Sequence, residues 1–290
     1  MGNVEKLRSE LGALVGSVVL ISPQQAKIVI GGSAGESILV AGRGGPYAGL
    51  AAALYRFYCG WSPPPTMEKP NGRSTFLTRL RAANPLQPQY VAESAAHMGD
   101  SRERLTSPTG HYLVLGGPIH AHRTGRQVRF YWNIPAPAAA EFLTAICKPL
   151  VDRRIPFEAK VPAWEEGYNR TDAAVLYINI EHIEVARDII EAGQEELRPW
   201  LGDETPFFTE RLDRGLAFAE TPPENGSFGL HRCTLTAEGM SEACQQGLRS
   251  SRDTVAFLCR HLRRYGLDLS QPARNPGTAY PYRLPGSVHA

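Results

Sequence analysis

Apolar and polar positions alternate over three stretches in the middle of the chain. Between residues 128 and 134, Val128, Phe130, Trp132 and Ile134 form an apolar set, and Arg129, Tyr131 and Asn133 form a polar one. Between 155 and 162, Ile155, Phe157, Ala159 and Val161 stand against Pro156, Glu158, Lys160 and Pro162. Between 174 and 180, Ala174, Leu176, Ile178 and Ile180 stand against Tyr177 and Asn179. Successive side chains of a strand point to opposite faces, so each stretch predicts a strand with one core face. If the three share a sheet, their polar groups converge on one surface. The competing reading is an ordinary solvated face of an antiparallel sheet. Against it stand two large aromatics, Tyr131 and Tyr177, and cations spaced singly, with only Glu158 close to Lys160.

Helical spacing recurs elsewhere. Val4, Leu7, Leu11 and Leu14 predict a helix over 4–15. Two strand-like pieces, "SVVLIS" and "AKIVIGG", follow it, then "SILVAG". Pro46 opens a helix that Gly60 ends, and Pro137 opens another running to the arginines at 153 and 154. "EHIEVARDIIEAGQEELRPWLG" and "DTVAFLCRHLRRYG" are helical. "ENGSFGLHRC" reads as a glycine-rich turn leading into the helix "TLTAEGMSEACQQGL". This order predicts an α+β fold: a largely antiparallel central sheet with flanking helices and a helical N-terminal part. The Pro-rich "WSPPPTMEKPNGRST" suggests a boundary between a region 1–75 and a core 76–290, or a long loop within one continuous domain.

Composition narrows the partners. The 290 residues are 42% hydrophobic and 21% charged, with a net charge of +2, so no global field argues for nucleic acid. The longest apolar run, "GALVGSVVLI", is about half a membrane span. No secretory pattern opens the chain, and the expected location is the cytoplasm. Five cysteines stand scattered, without CxxC or zinc spacing, and read as buried thiols.

Several residues have the chemistry of an anion site. Lys160 is a single cation opposite an apolar face. Arg170, in "YNRTD", precedes a strand and either binds an anion or pairs with Asp172 or Glu166. His231 and Arg232 are carried by the glycine-rich turn to a helix start, where backbone N–H groups favour an anion. An Arg there offers a bidentate fork for phosphate. A rival site is the Gly-rich stretch from Gly42 to Gly45. It would serve a dinucleotide, but Tyr47 stands where the third glycine of that turn belongs. His120 and His122 lack an evident third metal ligand.

The ordered motifs "LYRFYCG", "VRFYWNI", "IPFEAKV", "YNRTDAAVLYI", "GLAFAETP", "GSFGLHRC", "AEGM" and "PYRLPGS" resemble the type III effector Hop-A-like family, from about residue 50 onward. The resemblance implies a stand-alone protein of peptide natural-product pathways, those of thioamitides and class V lanthipeptides. There it works beside a phosphotransferase-like kinase that phosphorylates Ser or Thr of a precursor peptide. Its expected activity is removal of that phosphate by β-elimination, leaving dehydroalanine or dehydrobutyrine, without a cofactor. By similarity to phosphothreonine lyases, Lys160 would be the base and Arg129, Arg170 and Arg232 would hold phosphate. Tyr131, Asn133 and Tyr177 would line the substrate site. Asn133 stands where those lyases carry an acidic His, and an amide cannot donate a proton as a general acid. His231 is then the candidate acid. Burial and neighbouring cations disfavour an ammonium, which suits a Lys acting as a base. The alternative is a non-catalytic phosphopeptide- or protein-binding module. The stretch before residue 45 would bind the kinase or the leader peptide.

Overall fold

A computed structural model describes residues 2–30, 33–60, 75–86, 103–106, 110–117, 126–224, 226–278 and 283–285. In chain order the elements are α1 (Asn3–Gly16), β1 (Val18–Ser22), β2 (Gln25–Ile30), β3 (Ser33–Leu39), α2 (Ala48–Tyr58), α3 (Thr75–Ala83), β4 (Glu103–Thr106), β5 (His111–Gly116), β6 (Gln127–Trp132), α4 (residues 136–152), β7 (Phe157–Pro162), β8 (Ala174–Asn179), α5 (Ile183–Leu197), β9 (Glu210–Asp213), β10 (Leu216–Glu220), α6 (Phe228–Gln245) and α7 (Ser251–Arg264). The fold is α+β, as the alternation and helical spacing predict.

The chain forms two compact units. One comprises residues 1–61, 206–210 and 220–279; the other comprises 62–205, 211–219 and 280–290. The division is discontinuous. The N-terminal segment shares a unit with α6 and α7.

In the first unit, β1, β2 and β3 form an antiparallel meander. α1 buries Leu7, Leu11 and Leu14, and α2 buries Leu50, Leu54 and Tyr58. α2 packs on α6 through a glycine: a Cβ on Gly229 would lie 2.3 Å from Cε1 of Tyr58. Gly229 therefore sits within a helix rather than marking a turn, and α6 begins at Phe228, earlier than the sequence suggested. The cost of a helical Gly, about 1 kcal/mol relative to Ala, is offset by this close packing.

The second unit is built on a seven-stranded sheet of order β4-β5-β7-β8-β6-β10-β9. The β4–β5, β5–β7, β7–β8 and β8–β6 pairs are antiparallel. One face packs on α3, α4 and α5, where Phe130, Trp132, Phe142, Phe157, Leu176, Ile190 and Phe218 join one buried cluster. α4 contains a π-helical turn, Leu143–Cys147, which Gly193 of α5 approaches closely: a Cβ there would meet Ile146 at 2.3 Å. Trp132 donates its indole N–H to Gln194 of α5 at 3.1 Å, which satisfies the one polar atom of that side chain. No helix among the described residues is long and apolar enough to cross a membrane.

Candidate functional site

The second unit's core claims one parity of each central strand, which leaves the other parity to a single opposite face. Register orders that face into rows. Leu115, Glu158, Tyr177 and Arg129 lie across β5, β7, β8 and β6 in one row. Leu113, Lys160, Val175 and Tyr131 form the next. His111 stands opposite Pro162, diagonal to Lys160 and on its face. Lys160, Arg129, Tyr131 and Tyr177 are thus brought onto one surface.

Lys160 is half-buried and makes no hydrogen bond or ion pair among the described residues. Its neighbours are held more firmly. Arg129, almost fully buried, places its guanidinium 4.9 Å from the ring centre of Tyr177 and hydrogen-bonds the phenol of Tyr131. Burial pushes the Tyr131 phenol up, partly offset by Arg129, so it is a neutral donor at neutral pH. Arg170, just ahead of β8, makes a bidentate pair with buried Asp172: Nε donates to Oδ1, and Nη2 donates to Oδ2 at 2.8 Å. The expected alternative for Arg170, an ion pair with Asp172, is therefore present.

His111 is the residue that sequence reasoning missed. Its ring lies 6.3 Å from that of Trp164 and within the fields of Lys160, Arg170 and Asp172. Burial, then Lys160 and Arg170, push its imidazole down to about 2, against Asp172, so the ring is neutral. Two further donors nearby in sequence, Trp164 Nε1 and Thr171 Oγ1, are buried without a hydrogen-bond partner among the described residues. Among the described residues, the face and its margin carry Lys160, Arg129 and Arg170 together with the carboxylates of Asp172 and Glu158.

The remaining sequence candidates have other roles. Asn133 follows the end of β6. Its side-chain amide donates to the carbonyl of Glu204 at 3.0 Å, and its backbone bonds Gly215 and Gly202, so it ties the end of β6 to the neighbouring loops. His231 and Arg232 lie in the first unit, as the fourth and fifth residues of α6. Arg232 is fully buried over the ring of Phe228. Its Nε donates to the carbonyl of Pro272 at 3.1 Å, its Nη2 to that of Arg274 at 2.9 Å, and its Nη1 lies 2.7 Å from Nδ1 of His231. That geometry clamps the segment after α7 and commits Arg232 to the protein's own backbone. His231 is lowered by burial and by Arg232.

The Gly-rich turn uses its own amides. Gly42 and Gly45 bond each other, Ala48 donates to Gly45, and Gly49 and Leu50 donate to Val40. The first amides of α2 are taken up, which removes the cradle a dinucleotide phosphate needs. His120 and His122 lie outside the described residues. Among the described residues no group of His, Cys, Asp and Glu has the arrangement of a metal site.

No curated protein matches the chain. Its fold is similar to that of the effector protein from Pseudomonas syringae pv. tomato strain DC3000, with TM-score 0.51 and 19% identity over 78% of this chain and 90% of that one. The effector protein from Pseudomonas syringae pv. syringae strain 61 aligns with TM-score 0.47 and 17% identity over the same shares. Residues 104–274, which include every strand of the seven-stranded sheet except the start of β4 and both helices α6 and α7, match the HopA1 effector protein family, and the chain belongs to that family.

Proposed function

We propose that the chain is a phospho-Ser/Thr lyase acting on a phosphorylated precursor peptide. The observation that carries this reading is Lys160: a half-buried amine without hydrogen bond or ion pair among the described residues, on a face it shares with Arg129, Tyr131, Tyr177 and His111. Its free-base amine removes the α-proton of the phosphorylated residue. The resulting electron pair forms the Cα=Cβ bond, the Cβ–O bond breaks, and phosphate leaves. Arg170 and Arg129 are fixed in place by Asp172 and Tyr177, so they meet developing phosphate charge without reorganising. Tyr131 and the buried donors Trp164 Nε1 and Thr171 Oγ1 supply further hydrogen bonds to acceptor oxygens.

A phosphorylated peptide has to come from a kinase, and a phosphotransferase-like kinase is the proposed partner, handing its product on directly. Co-purification of separately tagged proteins tests that partnership; complete separation at micromolar concentration counts against it. The activity is tested by mass spectrometry of a phosphoserine or phosphothreonine peptide incubated with the wild type and with Lys160→Ala. Loss of one phosphoric acid with the wild type only is the expected result. Phosphopeptide binding without loss of phosphate would instead make the chain a binding module.

A further inference from the structure

We propose that the open face of the β1–β2–β3 sheet binds a short linear peptide segment bearing aliphatic side chains and a carboxylate. The face lies wholly within the first unit and is independent of the lyase reading. Parity gives this sheet two unlike sides. Val18, Ala26 and Ile28 share one side and are buried. On the other, Val19, Lys27 and Ser37 lie in one row across β1, β2 and β3. Gln25 and Leu39 pair in the next row, beside Ile21, which sits where the β1 register shifts. Val19, Ile21 and Leu39 are 50%, 52% and 65% exposed. A solvated sheet face ordinarily presents polar side chains at such positions. Three aliphatics on one small face form a cluster, unlike the single exposed apolar residues that any surface carries.

The size of the face decides among occupants. Three strands about 4.8 Å apart, at roughly 3.3 Å per residue, give it about 300 Å². Among the described residues of α1 and α2 no large apolar side chain is exposed, so the patch ends with the sheet. A second copy of the chain meeting it face to face would bury roughly 600 Å² in all, about half of the 1,200 Å² at which stable complexes begin. A linear segment of about six residues spans the same length and needs no further surface. Charge adds a second requirement. Lys27 is half-buried, stands in the row with Val19, and makes no hydrogen bond or ion pair among the described residues. A ligand lying on the neighbouring aliphatics holds water off this ammonium, which then favours an opposite charge and disfavours a like one. The segment therefore carries an Asp or Glu among Leu, Ile or Val.

A phage-displayed library of random twelve-residue peptides, selected on the full chain, tests this. The counter-selection target carries Ile21→Ser and Leu39→Ser together. Both side chains face solvent, so its melting temperature is expected to match that of the wild type, which circular dichroism checks. The expected result is enrichment of peptides in which aliphatic residues accompany an acidic one. Fluorescence anisotropy of such a peptide should give a dissociation constant at least about tenfold higher for the double variant. Lys27→Glu should weaken the acidic peptide about fivefold and prefer its counterpart with Lys in place of the acid. That reversal separates a loss of contact from a loss of fold. Enrichment of no peptide, of peptides without an acidic residue, or of peptides that bind the double variant equally well would overturn the proposal. So would a dimer in analytical ultracentrifugation that the double variant dissociates, since the face would then belong to a second copy.

Discussion

The guanidinium of Arg129 lies over the ring of Tyr177, its direct partner across the β6–β8 pair, 4.9 Å from the ring centre. The contact needs the ring and not the hydroxyl. Tyr177→Phe is expected to keep wild-type stability, while Tyr177→Leu loses about 1 kcal/mol in urea unfolding. Equal losses in both variants would show that the hydroxyl, not the ring, makes the contact.

Lys160 behaves oppositely to a structural cation. Because it has no hydrogen bond or ion pair among the described residues, Lys160→Met should fold with unchanged or higher stability while turnover drops by about two to four orders of magnitude. A marked fall in melting temperature would mean that the amine supports the fold.

The Arg170–Asp172 pair is nearly buried on both sides, with side-chain exposures of 10% and 5%. Asp172→Ala leaves a buried cation without its partner and is expected to cost about 3 kcal/mol or more. Removing Glu195 from its 2.6 Å bridge to the exposed Arg198 should leave unfolding unchanged, since water screens that pair. The comparison is read from paired denaturation curves. Equal losses would show that contact length, not burial, sets the contribution.

Acid should weaken the fold through His111. Its folded-state value is depressed, to about 2, so the unfolded chain takes up the proton first. Stability from this group is fully present above the ordinary histidine range, near pH 6.5, and falls as pH drops toward 2. The slope is at most about 1.4 kcal/mol per pH unit for one proton. His111→Gln should flatten that part of the stability profile, and an unchanged profile would contradict a buried neutral ring.

Arg154 occupies the left-handed region, φ 56°, just after α4. Its N–H donates to Val151 at 2.9 Å, and that of Ile155 donates to Leu150 at 2.9 Å, the paired bonds of a helix end that favours glycine. Arg154→Gly should raise stability by about 1 kcal/mol by relieving the Cβ. A loss would indicate that the arginine side chain contributes more than its backbone costs.

What the sequence made legible follows parity and period. The alternation at 128–134, 155–162 and 174–180 correctly separated core from face, because one buried side forces a two-residue repeat. His111 was hidden because β5 is apolar on both faces: Leu113 and Leu115 share its parity, and Tyr112 and Val114 fill the core. No alternation marked which side His111 took, and its nearness to Lys160 arises only from strand pairing. Asn133 had the right parity but lies past the end of β6, where loop backbone captures it. Arg232 was displaced by Gly229, which resembles a turn residue in sequence but serves close helix packing.

The discontinuous division of the chain sets an order of assembly during synthesis. The sheet unit draws mainly on a continuous stretch ending near residue 219, and can gather its core as soon as that stretch has left the ribosome. The other unit needs both residues 1–61 and residues 220–279, so its first helices wait with their apolar sides uncovered until α6 arrives. The intervening loop costs closure entropy that grows only logarithmically with its length. Early folding of the sheet unit would shorten that loop in effect and so lower the entropic cost of bringing the two flanks together.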